Sequence, residues 1–324
     1  MPPLLSAALI TRDAEKYLAQ CLRSLDGLCD EIVVVDTGST DRTLGIAADF
    51  KATIHRQPWT DDFSAARNAA LDLCTGTFIL CIDADEQVVL TDRVETREKL
   101  ASEAGFTANL GLVRNILKYA GGREVSVLMP RLLRRSANLR FVYAVHEQIG
   151  VVDEPAALSN ITLLHHGYET DKALRSKEER NLRIAEKMPK SAHASHCVLR
   201  SAFYLGQWTK AQTAADELLG MSPGPQLAED ACALGAAASI NLKDPTSAGQ
   251  FLGYGLRLNP ESADVLLMSL VDTMARYLHA LKEGDSTDTT GTYLRPMMFH
   301  HDRRKVQSML GHLLEQVAAG RGKE

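Results

Sequence analysis

Short apolar runs alternate with stretches of helical spacing over the first half of the chain. Glu31–Val35 and Thr77–Ile82 are apolar after their first residue, as expected of parallel strands buried on both faces. In Ala14–Leu25 the apolar positions recur every three or four residues, which predicts a helix. The same criteria predict strands at Leu5–Ile10 and Ala52–His55 and helices at Thr43–Phe50 and Phe63–Cys74. This order predicts an open, mostly parallel sheet with helices on both faces.

From about residue 108 the pattern changes to extended segments without intervening helices. Leu110–Tyr119 and Glu124–Leu133 flank Ala120-Gly121-Gly122-Arg123, and a Gly-Gly pair between strands predicts a hairpin. Leu139–Val152 and Ile161–Leu164 are further extended segments. We interpret them as an antiparallel extension of the same domain, which ends near residue 170.

After residue 170 the strand pattern stops, and Ala, Leu and Glu dominate at helical spacing. Ala211 and Pro223 recur as Ala248 and Pro260, 37 residues further on. A small residue where two helices cross, followed by Pro past the second helix, is typical of tetratricopeptide repeats. Two degenerate units are predicted at 192–225 and 229–262, with a non-repeating bundle as the alternative. Further helices are predicted at 262–282 and 301–319, joined by the polar stretch 283–292.

Composition fits two globular parts, 1–170 and 171–324. Of 324 residues, 45% are hydrophobic and 24% charged, which is enough apolar material for two cores. The net charge of −5 argues against a nucleic-acid binder. No apolar run approaches the roughly 20 residues of a membrane span, and the first residues lack the pattern of a signal peptide, so we expect no integral membrane segment and a cytoplasmic location. The six cysteines form no Cys-x-x-Cys pair, which predicts buried, reduced thiols.

Two of the predicted strands run directly into carboxylates. Asp36 follows Val35, and Asp83 and Asp85 follow Ile82. Ligands of open α/β sheets bind outside the carboxyl ends of the strands, so Asp36 stands where a nucleoside hydroxyl or base amide is expected. Because Asp36 precedes the turn, helix capping does not account for it. Asp-x-Asp is a pattern that converges on one divalent cation, which neutralises a departing diphosphate, although most such pairs are ordinary acidic loops.

A third polar segment lies at the start of the helix predicted at Phe63–Cys74. Asp62 or Ser64 is expected to cap this helix. Arg67 and Asn68 lie one turn inside it. Arg67 has bidentate donors for a phosphate or for one of the motif carboxylates, whereas a solvated position is the ordinary alternative.

Together these segments resemble glycosyltransferase family 2. The resemblance rests on Asp36-Thr-Gly-Ser-Thr-Asp41, Trp59-x-Asp-Asp-Phe-Ser-x-Ala-Arg67-Asn68 and Ile82-Asp-Ala-Asp-Glu86. More narrowly, the chain is similar to a bacterial subgroup with a tetratricopeptide-like C-terminal region, of the SunS type. The resemblance implies a GT-A fold, a Rossmann-like domain for nucleotide-diphospho-sugar transfer, followed by an all-α helical region. It also implies a nucleotide-sugar donor, Mg²⁺ or Mn²⁺, and inversion at the anomeric carbon.

Site residues follow from the resemblance by motif. Asp36 is expected to contact the nucleoside, and Thr11 and Asp13 to flank the nucleotide, although family members often have Asn at the position of Asp13. Asp83 and Asp85 are the expected metal pair, with Asp85 the more direct ligand and a catalytic residue. The full donor-binding set is Thr11, Asp13, Asp36, Gly38, Ser39, Arg67, Asn68, Asp83 and Ala84.

Two later segments also match the subgroup. The first contains Arg131 and ends in His146-Glu147. An inverting transfer needs a carboxylate base near the sugar, and Glu147 is our candidate. The alternative is that His146 and Glu147 form a structural polar pair at a strand end. The second segment is Leu164-His165-His166-Gly167-Tyr168, where His165 is the third candidate metal ligand or a contact of the diphosphate. Arg131 either counters phosphate charge or belongs to a solvated basic strip.

The sequence therefore predicts an inverting, metal-assisted hexosyltransferase that uses a nucleotide sugar, with UDP as the default carrier. A peptide, a protein and a glycan all remain open as acceptors, and the helical part is the expected place of acceptor or partner recognition. The oligomeric state is open, including a homo-oligomer. One rival is a sugar nucleotidyltransferase, although the first turn lacks the Gly-rich loop that such enzymes carry. The other is a non-catalytic scaffold with a vestigial nucleotide-sugar domain.

Overall fold

The structure, a computed structural model, describes residues 3–89, 92–102, 107–119, 124–150, 157–168 and 170–262. The predicted turn at 120–123 and the helices and loop expected beyond residue 262 lie outside these ranges. The chain divides into two compact units, Met1–Lys177 and Glu178–Glu324. The domain boundary between residues 170 and 171 stays a prediction.

The first unit contains the alternating strands and helices that the hydrophobic pattern predicts, each within a few residues of its expected bounds. Its strands are β1 Leu5–Thr11, β2 Glu31–Asp36, β3 Thr53–Arg56, β4 Phe78–Cys81, β5 Glu86–Val89, β6 Leu110–Tyr119, β7 Glu124–Arg134, β8 Phe141–Val142, β9 Gln148–Ile149 and β10 Ala157–Tyr168. Its helices are α1 Leu18–Ser24, α2 Thr43–Asp49, α3 Phe63–Leu73 and α4 Arg93–Ala101, and α5 Asp171–Ala185 follows.

Eight of the described strands form one mixed sheet in the order β3-β2-β1-β4-β7-β6-β10-β5. The first four are mutually parallel. β7 is antiparallel to both β4 and β6, which confirms the predicted hairpin pairing. β10 runs parallel to β6 and antiparallel to β5, so the extension is mixed and not purely antiparallel.

This sheet has to curl. β4 and β5 are four places apart in the sheet, which amounts to about 19 Å in a flat sheet with a strand spacing of about 4.8 Å. Yet a tight turn joins them, closed by a hydrogen bond from the Glu86 amide to the Asp83 carbonyl of 2.9 Å. The intervening strands therefore bend round until β5 and β10 lie next to the carboxyl end of β4. This curvature brings residues from the second half of the unit to the Asp83–Glu86 turn.

The two faces of the sheet are covered by different helices. Leu18 and Leu22 of α1 pack in one core cluster with Leu9 and Val34. Ala70 of α3 packs in another cluster on the opposite face, with residues that alternate with these along the strands, Ala8, Val33 and Val35. The predicted sheet with helices on both faces, and with it the GT-A-like fold class, is confirmed.

Two parts of the unit differ from the sequence-based expectation. The pattern did not predict β5 or α4, which follow the Asp83–Glu86 turn directly. The single extended segment predicted at Leu139–Val152 is wrong. Its described part contains two two-residue strands, β8 and β9, that pair with each other across a loop. Tyr143 and His146 in this loop have φ of 74° and 50°, left-handed values that end an extended strand.

The second unit is helical, as predicted. It contains α6 Ala192–Tyr204, α7 Trp208–Gly220, α8 Pro225–Asn241 and α9 Pro245–Leu258. These fall into two helix pairs that match the two predicted units, and the recurring Ala211 and Ala248 are both fully buried. The helical class is thus confirmed, while the assignment to tetratricopeptide repeats stays a prediction.

Gly235 lets α8 pack closely against its neighbours. A Cβ at this position would stand 2.7 Å from Phe251 Cε1 and 2.9 Å from Ala215 Cβ, and both residues are buried. We expect Gly235→Ala to destabilise the protein by about 1–3 kcal/mol through overpacking, despite the better helix propensity of Ala. Gly253→Ala in α9, where the nearest atom would lie at 3.6 Å, is the matched control and should be neutral or stabilising. Urea denaturation distinguishes the two, and equal midpoints would contradict the packing argument.

The cysteines behave as predicted. All six are free, and all except the half-buried Cys29 are buried. Burial, reinforced by Asp30, raises the pKa of Cys29 to about 12, so this thiol stays protonated at neutral pH. Within the described part of the chain, no helix has both the length and the apolar character that crossing a membrane requires.

Candidate active site

The carboxyl ends of β1, β2 and β4 meet at one edge of the sheet. Thr11 at the end of β1 is in register with Asp36 at the end of β2, and Asp83 lies two residues beyond β4. Three of the predicted site residues, Thr11, Asp36 and Asp83, therefore lie at the same edge, as expected of a parallel arrangement.

Asp36 is the organiser of its own turn. Its Oδ2 accepts hydrogen bonds from the amides of Gly38 at 3.1 Å and Ser39 at 3.0 Å, and Oδ1 accepts one from the Thr11 hydroxyl at 3.4 Å. As expected, Asp36 does not cap α2, which begins at Thr43; its side chain instead bonds amides two and three residues ahead, as Asp does in turns. Gly38, with φ of 112°, permits this turn.

The loop after β1 is locked to the same turn. The Asp13 amide donates to Ser39 Oγ at 2.9 Å, and Asp13 Oδ1 accepts from the Thr40 amide at 2.8 Å. Asp13 itself has a left-handed φ of 47°. Hydrogen bonds thus join Thr11, Asp13, Asp36, Gly38 and Ser39 into one group.

A cleft of about 640 Å³ opens beside this group. Asp36, Gly38 and Ser39 line it, together with four residues that the sequence analysis did not assign to the site, Arg12, Arg56, Gln57 and Pro58. Trp59 forms a further wall and is anchored by a hydrogen bond from its indole Nε1 to Asp61 Oδ1 of 2.9 Å. Arg12 directly follows β1 and Arg56 ends β3. Their positions at strand ends could have identified both arginines as candidate site residues from the sequence.

Asp83 lies between two buried arginines. Arg67 Nη2 donates to its Oδ1 at 2.7 Å and Arg131 Nη2 to its Oδ2 at 2.9 Å. Burial alone would raise the pKa of Asp83, but Arg131 and Arg67 hold it well below its usual range. Burial would likewise lower the pKa of each guanidinium, and the carboxylates raise it instead. Arg131 was expected either to counter phosphate charge or to belong to a solvated basic strip. Because it is buried in an ion pair with Asp83, the solvated strip is excluded.

Arg67 also joins Asp83 to Glu147. Its Nε donates to Glu147 Oε1 at 2.6 Å, and its guanidinium lies over the ring of Phe141 at 5.4 Å. The carboxamide of Asn68 bonds the backbone of Phe141. Its Nδ2 donates to the Phe141 carbonyl and its Oδ1 accepts from the Phe141 amide, both at 2.9 Å. Glu147 lies in the β8–β9 loop, inside the segment 139–152 that was predicted to be extended.

Asp85 and His165 face each other across a small space. Asp85 Oδ2 lies 3.3 Å from His165 Nε2. Burial opposes ionisation of Asp85, yet the contact with His165 lowers the pKa of this carboxyl. A Cβ at Gly167 would collide with Asp85 Oδ2 and come within 2.7 Å of His165 Nε2, so a glycine is needed for these two side chains to meet here. Asp85 has 31% of its side chain exposed and is accessible to a ligand.

Glu86, which no motif role covered, is the hub behind these residues. Its side chain is fully buried. Oε2 accepts from the Asp83 amide at 2.8 Å, and Oε1 accepts from Asn115 Nδ2 at 2.6 Å and lies 3.5 Å from both Arg131 Nη2 and His165 Nδ1. In the sequence Glu86 is visible as the carboxylate that follows Asp-x-Asp. Its contacts with Asn115, Arg131 and His165 form only because the sheet curls.

These side chains fit a metal in part. Among the residues that the structure describes, no three His, Cys, Asp or Glu side chains are grouped so that they would hold an ion. Both oxygens of Asp83 are already engaged by guanidinium groups. In contrast, Asp85 Oδ2 and His165 Nε2 lie 3.3 Å apart beside Gly167, and neither atom contacts a guanidinium group in the pairs described above. Two protein ligands of this kind suit a cation that takes its other ligands from phosphate and water.

The first part of the chain matches a known family. Residues 6–118 match the family model described as Glycosyl transferase family 2. The matched segment contains the Asp36 turn, Arg67, Asn68 and the Asp83–Glu86 turn, whereas Arg131, Glu147 and His165 lie beyond it.

Relatives cover the chain in part. A TPR repeat-containing protein of Synechococcus elongatus is 36% identical over 44% of this chain and 35% of its own length. The prophage-derived glycosyltransferase SunS of Bacillus subtilis is 28% identical over 57% of this chain and 45% of its own length. These matches thus span less than half the length of either relative. Among solved structures, that of S. aureus TarS 1-349 in complex with UDP-GlcNAc has a TM-score of 0.45 at 16% identity, covering 77% of this chain and 92% of that one.

Proposed function

We propose that this protein transfers a sugar from a nucleoside-diphosphate sugar to an acceptor, with inversion at the anomeric carbon, because residues 6–118 match the model of Glycosyl transferase family 2. The observation that carries the proposal is that Asp36, which lines an open cleft, and the Asp83–Glu86 turn follow or end two strands, β2 and β4, that flank β1 in parallel. Uridine is the default base, and a peptide, a protein or a glycan is the acceptor class. The similarity to SunS supports transfer as the reaction type.

In this proposal the nucleoside lies in the cleft beside Asp36. Ser39, which lines the cleft and is hydrogen-bonded to Asp13, is held in place for this contact, so little ordering is needed on binding. Trp59, held by Asp61, also lines the cleft and supplies an aromatic side chain. Arg67 and Arg131 are oriented by Asp83 and offset the charge of the buried carboxylates around it.

Asp85 and His165 are the residues that would hold Mg²⁺ or Mn²⁺, which supplies charge neutralisation to the departing diphosphate. Asp83 serves instead to hold the two arginines, because its oxygens are engaged by them. The acceptor hydroxyl or thiol attacks the anomeric carbon while the bond from that carbon to the diphosphate oxygen breaks. The diphosphate leaves with the bonding electron pair, and Glu147 takes the acceptor proton.

Glu147→Gln tests the assignment of the base. With a panel of nucleoside-diphosphate sugars, Mn²⁺ and water as the acceptor, we expect release of nucleoside diphosphate to fall about 100-fold or more, because general-base catalysis contributes about 10²–10⁴. The KM for the donor should stay within about twofold, since Gln retains the contact with Arg67. Glu95→Gln, at an exposed pair with Lys99, is the matched control.

The possible outcomes test two statements separately: that Glu147 is the base, and that the protein is a transferase. Wild-type turnover in Glu147→Gln would remove Glu147 as the base and leave the transferase proposal standing. Absence of diphosphate release from every donor in the wild-type protein would contradict the transferase proposal itself.

A further inference from the structure

The segment that carries Glu147, residues 141–147, contains two strained backbone positions. Tyr143 and His146, neither of them glycine, adopt left-handed φ values of 74° and 50° within four residues. Such conformations persist where surrounding contacts determine them, and they cluster at functional sites. The strands on either side, β8 and β9, contribute two residue pairs, Phe141 with Ile149 and Val142 with Gln148. So short a ladder is a weak support for a strained loop.

The first turns of α3 contact segment 141–147 at three points. The Phe63 amide donates to the Ala144 carbonyl at 2.9 Å. One helical turn later, Arg67 bonds Glu147 itself at 2.6 Å. Asn68 follows and holds Phe141 at the base of the loop. Three residues of one helix therefore contact the beginning, the middle and the end of segment 141–147.

Asn68 makes the most specific of these contacts. Its amide donates to the Phe141 carbonyl and accepts from the Phe141 amide, both at 2.9 Å, so it pairs with the main chain as a neighbouring strand would. A carboxamide has one donor end and one acceptor end, and this geometry uses both. Phe141 is buried in the core cluster beneath Arg67, which leaves no room for it to adjust.

We propose that Asn68 is a positioning residue, which fixes segment 141–147 and thereby the place of Glu147 relative to the sugar. It acts on the chain and not on the donor. The inference rests on the proposed function, in which Glu147 is the base, and it extends that function by giving a role to a side chain that the family motif suggests for donor binding.

Two variants separate positioning from packing. Asn68→Ala removes both hydrogen bonds, whereas Asn68→Asp keeps the shape but sets a carboxylate oxygen against the Phe141 carbonyl. With a nucleoside-diphosphate sugar, Mn²⁺ and water as the acceptor, we expect kcat to fall about 100-fold in both, the effect of a displacement of about 1 Å. The KM for the donor should stay within about twofold. Asp72→Asn, on the same helix in an exposed pair with Arg140, should change neither.

Amide hydrogen exchange gives a second readout that does not depend on turnover. Both Asn68 variants should exchange faster in residues 141–149, while β1, β2 and β4 keep their wild-type protection. Unchanged exchange in 141–149 would overturn the proposal, and so would a higher donor KM with an unchanged kcat, which would make Asn68 a donor contact. A wild-type protein without turnover would instead defeat the proposed function, and the exchange data would still decide whether Asn68 holds the segment.

Discussion

Asp85→Ala is expected to reduce turnover of the donor about 1,000-fold. A metal at a leaving group contributes several kcal/mol to transition-state stabilisation, and each 1.4 kcal/mol corresponds to a factor of ten. Asp85 is the carboxylate of the Asp-x-Asp pair that lies beside His165 and Gly167, whereas Asp83 is turned to the arginines. Initial rates with Mn²⁺ and a nucleoside-diphosphate sugar measure the effect.

The fold should survive this change. Asp85 has 31% of its side chain exposed, and its removal leaves the Asp83 and Glu86 contacts in place. Circular dichroism should therefore be unchanged. Asp49→Ala, at an exposed position of α2, is the control for the substitution type. If Asp85→Ala kept more than a tenth of the wild-type rate, the assignment of Asp85 as a metal ligand would be wrong.

Arg67→Met is expected to destabilise the protein strongly. Arg67 neutralises Asp83 and Glu147 at once, and its side chain is 8% exposed. Removing one partner of a buried ion pair typically costs about 3–5 kcal/mol, because the other charge stays buried. Arg131 still serves Asp83, and Glu147 is 14% exposed, so we expect about 3 kcal/mol.

Urea denaturation of paired variants checks this expectation. Arg140→Met breaks an exposed pair with Asp72 and should cost less than about 1 kcal/mol. Adding Glu147→Gln to Arg67→Met should recover part of the loss, since it removes the unpaired charge. A midpoint for Arg67→Met equal to that of Arg140→Met would show that the network does not stabilise the fold.

The parts of the fold that the sequence predicts well are those where burial on both faces leaves a continuous apolar run. β2 and β4 are such runs, and their ends place Asp36 and Asp83 at one edge by topology alone. α3 was predictable because its apolar positions have helical spacing and Asp62 caps it, with Oδ1 accepting from the Ala65 amide at 3.0 Å. Local pattern was sufficient in these cases.

The errors have a common origin in contacts distant along the chain. The loop with Tyr143 and His146 contains no glycine to mark its left-handed turns, and α3, about 80 residues earlier, contacts this loop at Phe141, Ala144 and Glu147. Glu86 reaches His165, Asn115 and Arg131 because the sheet curls, which no local pattern records. The role of Asp36 in its own turn was local, and turn chemistry would have indicated it.

The most direct test of the account is calorimetric titration of UDP and the other nucleoside diphosphates into the full chain, with and without Mn²⁺. The account predicts that one nucleotide binds, that Mn²⁺ tightens its binding at least about tenfold, which corresponds to about 1.4 kcal/mol, and that Asp85→Ala removes the Mn²⁺ effect. A folded protein that binds none of these nucleotides, or binds one equally well without Mn²⁺, would contradict it.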